Sequence, residues 1–413
     1  MRRALLVLSA AALLAAGCAG GDEDAATTST TTTSPPAPTT TTEPPPSSPM
    51  IFSPEGNNLW VYEDAPGYAS QQVVTNATEN PAQGRDLNGQ VCFVPDGSGR
   101  FIAGEDTNQP DPVPGFGVFQ LEGDRVGGLS AAQVGKLTPT YQSAPDNFGC
   151  GFLSSGALVT TDIGNTVTGP ADGQLIVWFP PFSGGELDRT APNAGFDDVA
   201  YCKVDVGIAT AGGVYVDQDD NVYVGSARPP SNGVLRYSGD WPTAPNADGR
   251  CGRTDATGAP LVDPGAVTSD VFIAAGGHDL ASPHSVAPAP EGGLYVSSVI
   301  NGVINEYDAE GTFVRAVLTP PAGEELGLEP FSTGTPLGLA VGPDGSLFYA
   351  DIGIVADPVD GFGPGARTGT LRVIRFLDGE PQPPDTIADG LAFPDGLGVL
   401  VPGGGGRGVT SVL

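Results

Sequence analysis

Residues 338–353 read Gly-Leu-Ala-Val-Gly-Pro-Asp-Gly-Ser-Leu-Phe-Tyr-Ala-Asp-Ile-Gly, with apolar residues alternating on both sides of a central polar turn. The period of two predicts β-strands, and an Asp-Gly dipeptide tolerates the positive φ of a tight hairpin turn. A second stretch, residues 302–318, repeats this design around Glu310-Gly311. Each stretch is therefore predicted to form a β-hairpin.

Hairpins of these two forms alternate along the chain after residue 50. Copies of the first form are Gly89–Glu105, Gly149–Asn165, Gly212–Ala227, His284–Ser298 and Pro336–Gly353. Copies of the second form are Gly115–Leu129, Gly173–Asp188, Gly233–Trp241, Gly302–Leu318 and Thr370–Gly379. Two hairpins in series make a four-stranded blade, and a repeated blade is typical of a β-propeller.

One hairpin of each form is left without a partner, at opposite ends of the repeat region. Asn58–Val74 has the second form, and Pro394–Leu413 has the first. If both belong to one blade, the ring closes without an exposed sheet edge. The sequence thus predicts an all-β, six-bladed β-propeller with four-stranded blades, little helix, and a closing blade made of two strands from each end.

The first fifty residues have the composition of an export signal followed by a tether. Arg2 and Arg3 precede an apolar run that is too short to span a bilayer as a mature helix. The run ends in Ala15-Ala16-Gly17-Cys18, which resembles the bacterial lipoprotein signal, in which the cysteine thiol is lipidated. The alternative is an ordinary secretory leader with an incidental cysteine.

A stretch of Thr, Ser and Pro follows, and its composition is typical of an extended stalk. We therefore divide the chain into a signal peptide at 1–17, a lipidated stalk at 18–50 and the propeller at 51–413. The propeller is expected to be an exported monomer on the outer face of a bacterial cell membrane, with its lipid as the only membrane contact.

The net charge is -31, from 48 acidic and 17 basic side chains. Nucleic acid is excluded as a partner because phosphate binding requires clustered Lys and Arg. Such acidity either keeps an extracellular domain soluble or attracts a cation such as calcium, which prefers carboxylate and carbonyl oxygens.

Four cysteines remain besides Cys18, and an even number in an exported chain predicts two disulfides. Cys92 and Cys150 occupy equivalent places on the predicted inner strands of neighbouring blades. Cys202 and Cys251 each follow a copy of Thr-Ala-Pro-Asn-Ala. Of three pairings, we favour Cys92 with Cys150 and Cys202 with Cys251; a metal site is the weaker alternative, since no two cysteines are closely spaced.

Polar residues are expected to converge on one mouth of the propeller channel, because inner strands begin and second strands end at the same rim. At these positions the sequence has Asn88, Asn147, His284, Asp395, Glu105, Asp162 and Asp351. The oxygens predict a calcium site, and the imidazole a general base. Alternatively, the acids and asparagines form turns and His284 is a structural residue.

The repeats resemble those of the NHL-repeat and senescence marker protein/gluconolactonase superfamily of six-bladed propellers. The resemblance rests on residues 335–351, residues 213–224 and the sequence Phe393-Pro-Asp-Gly-Leu397. Gluconolactonase-family enzymes hold a divalent metal in the channel, with one ligand in a Pro-Asp-Gly motif. The resemblance therefore implies a metal-ligand role for Asp395.

Two functions of different classes follow. The first is a surface-tethered propeller that binds a small molecule, glycan or protein at the channel mouth. The second is a calcium-dependent lactonase or esterase-like hydrolase, in which the metal polarises a carbonyl group and activates water.

Overall fold

The computed structural model describes residues 48–80, 85–105, 115–140, 146–164, 171–182, 199–245, 250–320, 334–357 and 361–402. The predicted signal peptide, Cys18 and nearly all of the stalk lie outside these ranges. Within them the regular secondary structure is all β-strand apart from a single 3-10 turn at Pro290–Gly292. The expectation of little helix is confirmed for this part of the chain, which contains no helix long and apolar enough to cross a membrane.

Three strands open the described chain: β1 (Met50–Glu55), β2 (Asn58–Glu63) and β3 (Ser70–Val74). Blade 1 follows with β4 (Leu87–Phe93), β5 (Arg100–Glu105), β6 (Phe116–Glu122) and β7 (Ser130–Leu137). Blade 2 consists of β8 (Asn147–Phe152), β9 (Leu158–Asp162), β10 (Gly173–Trp178) and β11 (Tyr201–Ile208). In each blade the strands are antiparallel and pair in chain order.

Blade 3 contains β12 (Val214–Val216), β13 (Val222–Ser226), β14 (Gly233–Gly239) and β17 (Val267–Ala274). Between β14 and β17 the chain inserts a hairpin, β15 (Cys251–Thr254) and β16 (Pro260–Val262), which extends the sheet of blade 2 because β16 pairs with β11. Blade 4 contains β18 (Pro283–Pro288), β19 (Leu294–Ser298), β20 (Val303–Tyr307) and β21 (Phe313–Leu318). Both blades therefore have the four antiparallel strands predicted for them.

Blade 5 contains β22 (Pro336–Val341), β23 (Leu347–Asp351), β26 (Gly369–Ile374) and β29 (Asp385–Leu391). Two hairpins are inserted into it: β24 (Ile354–Asp357) with β25 (Gly361–Pro364), and β27 (Phe376–Leu377) with β28 (Glu380–Pro381). The last described strand is β30 (Gly398–Leu400). Each innermost strand contacts that of the next blade, and β30 contacts both β22 and β4, so the ring is closed.

The closing blade is shared between the two ends of the domain, as predicted, but the strand count differs. Its order is β3-β2-β1-β30, so three strands come from the N-terminal side and one from the C-terminal side. For the described residues the predicted division of two strands from each end is therefore corrected; the second C-terminal strand of that prediction falls on residues 403–413, outside the described ranges. All six residues of β1 are buried, so the strand lacks the polar alternation on which our prediction relied.

Turn residues at equivalent places in five blades confirm the hairpin design. Gly97, Gly156, Asp220, Gly292 and Gly345 all have a positive φ, between 60° and 82°. This backbone region favours glycine, and among other residues it favours Asp and Asn.

Both predicted disulfides are present. Cys92–Cys150 joins the innermost strands of blades 1 and 2, and Cys202–Cys251 joins β11 to the inserted β15. Disulfides persist in oxidising compartments, so this pair of bonds fits an exported protein.

The core lies between adjacent blades. Between the closing blade and blade 1 it is aromatic, with Phe52, Phe93 and Phe101 in mutual contact and Phe119 stacked on Phe101 at 5.0 Å. All four side chains are at most 3% exposed. Since each blade buries its faces against two neighbours, removing one strand exposes two interfaces.

Candidate functional site

The predicted convergence of first-strand starts and second-strand ends at one rim is confirmed by the strand register. Asn147 lies opposite Asp162 in blade 2, and Pro336 lies opposite Asp351 in blade 5. In the closing blade Glu55 ends β1 and forms a bridge with Pro394. Glu55 is a further strand-end residue of this rim, and our sequence analysis missed it together with β1.

Asp162 and Asp351 hold the turns of their own blades. Asp162 Oδ1 accepts hydrogen bonds from the backbone N–H of Asp146 and of Gly164, at 2.8 and 3.2 Å. Asp351 Oδ1 accepts equivalent bonds from Thr335 and Gly353, both at 2.9 Å. The geometry matches the turn-capping alternative for both carboxylates, and their metal-binding role stays a prediction.

Glu105 forms a buried ion pair with Lys136, whose Nζ lies 2.9 Å from Oε2, while the other carboxylate oxygen accepts a hydrogen bond from Gln133 at 2.8 Å. Arg85 Nε lies 3.7 Å from the same oxygen. Glu105 is fully buried, and both cations are at most 4% exposed. Basic groups thus already neutralise the Glu105 carboxylate.

The two asparagines have different surroundings. The Asn147 amide donates a hydrogen bond to the Glu105 carbonyl oxygen at 3.2 Å, whereas the Asn88 amide donates to Asp146 Oδ1 at 3.0 Å. Asn88 Oδ1 is buried without a hydrogen-bond partner. The N–H of Gly89, the residue after Asn88, donates a hydrogen bond to Asp395 Oδ1 at 3.1 Å. Asp395 therefore lies beside the backbone that carries Asn88.

His284 reaches across the first strand of blade 3. Its ring contacts Phe148 of blade 2 edge to face, with 4.5 Å between the ring centroids. Blade 3 lies between the two residues. The imidazole fits there because residue 212 is a glycine: a Cβ atom at this position would lie 3.1 Å from His284 Nδ1. That nitrogen is buried without a partner, and burial lowers the pKa of His284 to about 4. The imidazole is therefore neutral at physiological pH.

An apolar cluster occupies the same rim. This mouth cluster consists of Phe148, Ile163, Val299, Leu337, Ile352 and Ile354, all at most 9% exposed. Phe148 belongs to blade 2 and Leu337 to blade 5, which are opposite each other in a ring of six, so the cluster crosses the channel axis. The mouth is thus apolar at its centre, which our sequence analysis did not predict, and the roles of the polar residues around it stay predictions.

The pKa values of two acidic residues at strand ends, Glu55 and Asp162, are strongly raised. Burial raises the pKa of Glu55 to about 7, although hydrogen bonds from the Tyr62 hydroxyl, at 2.8 and 3.0 Å, act in the opposite direction. Burial likewise raises the pKa of Asp162 to about 7 against its backbone hydrogen bonds. Both carboxyl groups thus retain a proton well above the usual acidic range.

Deeper in the channel, Gln90 joins three blades. Its Oε1 accepts hydrogen bonds from the backbone N–H of Cys150 in blade 2 and of Val214 in blade 3, at 3.2 and 2.7 Å. Its Nε2 donates to the Val214 carbonyl oxygen at 3.2 Å. No local sequence signal marks Gln90, because its role depends on blades distant in the chain.

A metal centre is not assembled from acidic, histidine or cysteine side chains within the described ranges, where no three of them come together as ligands. The predicted ligands lie at the same rim but on different blades, each with hydrogen-bond or ion-pair partners of its own. Among the predicted ligand atoms in the described part of the chain, Asn88 Oδ1 and Glu105 Oε2 are buried without a hydrogen-bond partner, and Glu105 Oε2 is ion-paired with Lys136.

Comparisons with known proteins agree on architecture only. A virginiamycin B lyase from Staphylococcus aureus is 10% identical, with a TM-score of 0.40 over 82% of this chain and 78% of that one. A gluconolactonase-like protein is 13% identical, with a TM-score of 0.39 over 71% and 77%. A chain of a nidogen/laminin complex is 9% identical, with a TM-score of 0.47 over 85% and 98%.

No protein-family model matches the sequence, and no curated protein matches it. Identities of 9 to 13% with TM-scores below 0.5 assign neither a family nor an activity to this chain.

Proposed function

We propose that the protein is an exported propeller that binds a small uncharged molecule at the channel mouth. The supporting observation is the pair of buried, unpartnered polar atoms at this rim, His284 Nδ1 and Asn88 Oδ1. A buried polar atom without a partner costs about 1–3 kcal/mol, so such atoms in native structures usually contact a water molecule or a ligand.

The surroundings favour a neutral ligand. The imidazole of His284 is neutral at physiological pH, and basic side chains neutralise Glu105. The mouth cluster adds buried apolar side chains that cross the channel axis. Ligand sites of this kind combine apolar walls with a few placed polar atoms.

The second candidate is the calcium-dependent lactonase or esterase-like hydrolase implied by the resemblance to the gluconolactonase superfamily. The observation that favours it is the position of Asn88 Oδ1 beside Gly89, whose N–H binds Asp395. Calcium requires six to eight oxygen ligands, so Asn88 and Asp395 would need several further ligands. We rank this candidate second because Asp162, Asp351 and Glu105 already bind protein groups.

Surface tethering belongs to the same proposal. Lipidation of Cys18 and a stalk at 18–50 would hold the propeller outside the cell, and the two disulfides are consistent with export. A tethered, NHL-like binding propeller fits this proposal, because the closed ring of blades holds the residues at its rim in fixed positions.

Ligand-observed NMR with a panel of monosaccharides, lactones and phenyl acetate tests the proposal. We expect binding of at least one neutral probe without turnover, and loss of that binding in His284→Phe, which keeps the aromatic contact with Phe148 but removes Nδ1. The control is His278→Phe, because His278 stacks on Phe313 with 3.7 Å between ring centroids, away from the mouth cluster. Calcium-dependent hydrolysis of a lactone or ester, or binding unaffected by His284→Phe, would contradict the proposal.

A further inference from the structure

A cavity lies away from the channel, between the outer strands of blades 1 and 2 and the inserted β15–β16 hairpin. Its volume is about 380 Å³. We call it the outer groove, and it is lined by Thr138, Val199, Ala200, Tyr201, Pro245 and Pro260. This volume is in the range of about 300–1,000 Å³ that small-molecule sites occupy.

The side of the outer groove that contains Tyr201 and Pro260 is held together by a disulfide, an ion pair and a strand pairing, all between β11 and the β15–β16 hairpin. Cys202, next to Tyr201, is disulfide-bonded to Cys251 of the inserted hairpin. Lys203 is fully buried and its Nζ lies 2.7 Å from Asp255 Oδ2. Lys203 also pairs in parallel with Leu261, the residue after Pro260. The groove is therefore held open by the fold, which reduces the ordering cost of binding.

The floor of the groove is equally constrained. The Tyr201 ring packs on Trp178 with 4.9 Å between ring centroids, and its hydroxyl accepts a hydrogen bond from the Thr140 N–H at 3.1 Å. Trp178 is itself buried, and its Nε1 donates to Thr160 Oγ1 at 2.8 Å. Tyr201 thus presents a ring in a fixed orientation.

Charge sets the outer groove apart from the rest of the molecule. The chain carries 48 acidic and 17 basic side chains, yet among the residues that the structure describes the groove is lined by six uncharged ones. Two proline rings, an aromatic ring and two aliphatic side chains line the groove together with the Thr138 side chain. An ion buried against these six residues would lose its hydration, and none of the six supplies a countercharge.

We propose that the outer groove is a binding site for a small uncharged ring compound, which packs between Tyr201 and the two prolines. This site is separate from the channel mouth, so the inference extends beyond the proposed function and is independent of His284. A ring ligand suits the surface because flat apolar faces bury the largest area against an aromatic ring and proline rings.

Ligand-observed NMR on the full chain tests this site with two neutral probes, indole and cyclohexanol, and two charged counterparts, indole-3-acetate and cyclohexylammonium. We expect the neutral probes to bind and each charged counterpart to bind at least about tenfold more weakly, since its charge must be desolvated. Binding of charged and neutral probes with equal affinity, or no binding of either neutral probe, would overturn the proposal.

Two variants locate the binding. Ala200 is exposed, so Ala200→Glu and Ala200→Lys should fold normally while placing a charge of either sign in the groove. Both should weaken neutral-probe binding at least about tenfold. The matched control is Ala132→Glu, at an exposed position of β7 outside the groove, which should bind as the wild type does. Neutral-probe affinity that is equal in the wild type and the Ala200 variants would assign the binding elsewhere.

Discussion

A chain that ends before Pro394 should fail to form a stable ring. It would lack β30, which pairs with β1 from Met50 to Phe52 and is the innermost strand of the closing blade. Leu397 and Val399, both at most 2% exposed, would be lost from the core between blade 5 and the closing blade. We expect aggregation on expression or loss of most of the roughly 5–15 kcal/mol that stabilises a typical domain.

A point variant tests the same interface without shortening the chain. Val399→Asp places a carboxylate in the buried seam and should destabilise the fold by about 3 kcal/mol or more, measured by urea unfolding. The control is Leu377→Asp, because Leu377 is 63% exposed on the β27–β28 hairpin and should melt within a few degrees of the wild type. A soluble, cooperatively melting truncation would contradict the closure by β30.

Stability should fall as the pH rises from about 5 to about 8, because Glu55 and Asp162 hold protons in the folded state. The pKa of each is raised to about 7, from 4.5 for Glu55 and 3.8 for Asp162. The folded state binds more protons than the unfolded state between these limits, so ionisation favours unfolding as the pH rises. Each carboxyl group should contribute about 2–3 kcal/mol of this loss, at 1.36 kcal/mol per pKa unit.

The variants Glu55→Gln and Asp162→Asn should each remove their own part of this loss, and the double variant should remove the sum, because the residues lie in different blades. His284 acts in the opposite direction. The pKa of His284 is lowered from 6.5 to about 4, so its contribution to the free energy of unfolding is lost as the pH falls from about 6.5 to about 4. This loss should be the same in the wild type and in all variants. Urea unfolding at several pH values gives the slopes; single variants with the wild-type slope would contradict this assignment.

The blades were predictable from sequence because the evidence for them is local. Alternating apolar residues around a short turn, as at residues 338–353, specify a hairpin by themselves, and Gly345 has the positive φ that the turn requires. The closing blade was only partly predictable. Its β1 is buried throughout and has no periodicity of its own, so its place depends on pairing with the far end of the chain.

The site was predictable in position but not in chemistry. The rim that contains Asn88, Asn147, His284 and Asp395 follows from propeller topology, and the structure confirms that their strands begin there. The partners of these side chains come from other blades: Phe148 contacts His284, and Lys136 pairs with Glu105. Such contacts between distant segments are not encoded in any local pattern, and for this reason the mouth cluster was missed.

The central claim is that the channel mouth is a neutral binding site and that its carboxylates support the structure. The most direct test is the melting temperature of the full chain in calcium chloride and in sodium chloride at matched ionic strength, for the wild type and Asp395→Asn. We predict equal shifts in both salts, since diffuse screening of the net charge of -31 depends on ionic strength. A calcium-specific stabilisation that Asp395→Asn abolishes, about 2.7 kcal/mol at a hundredfold excess over Kd, would contradict the claim and favour the hydrolase.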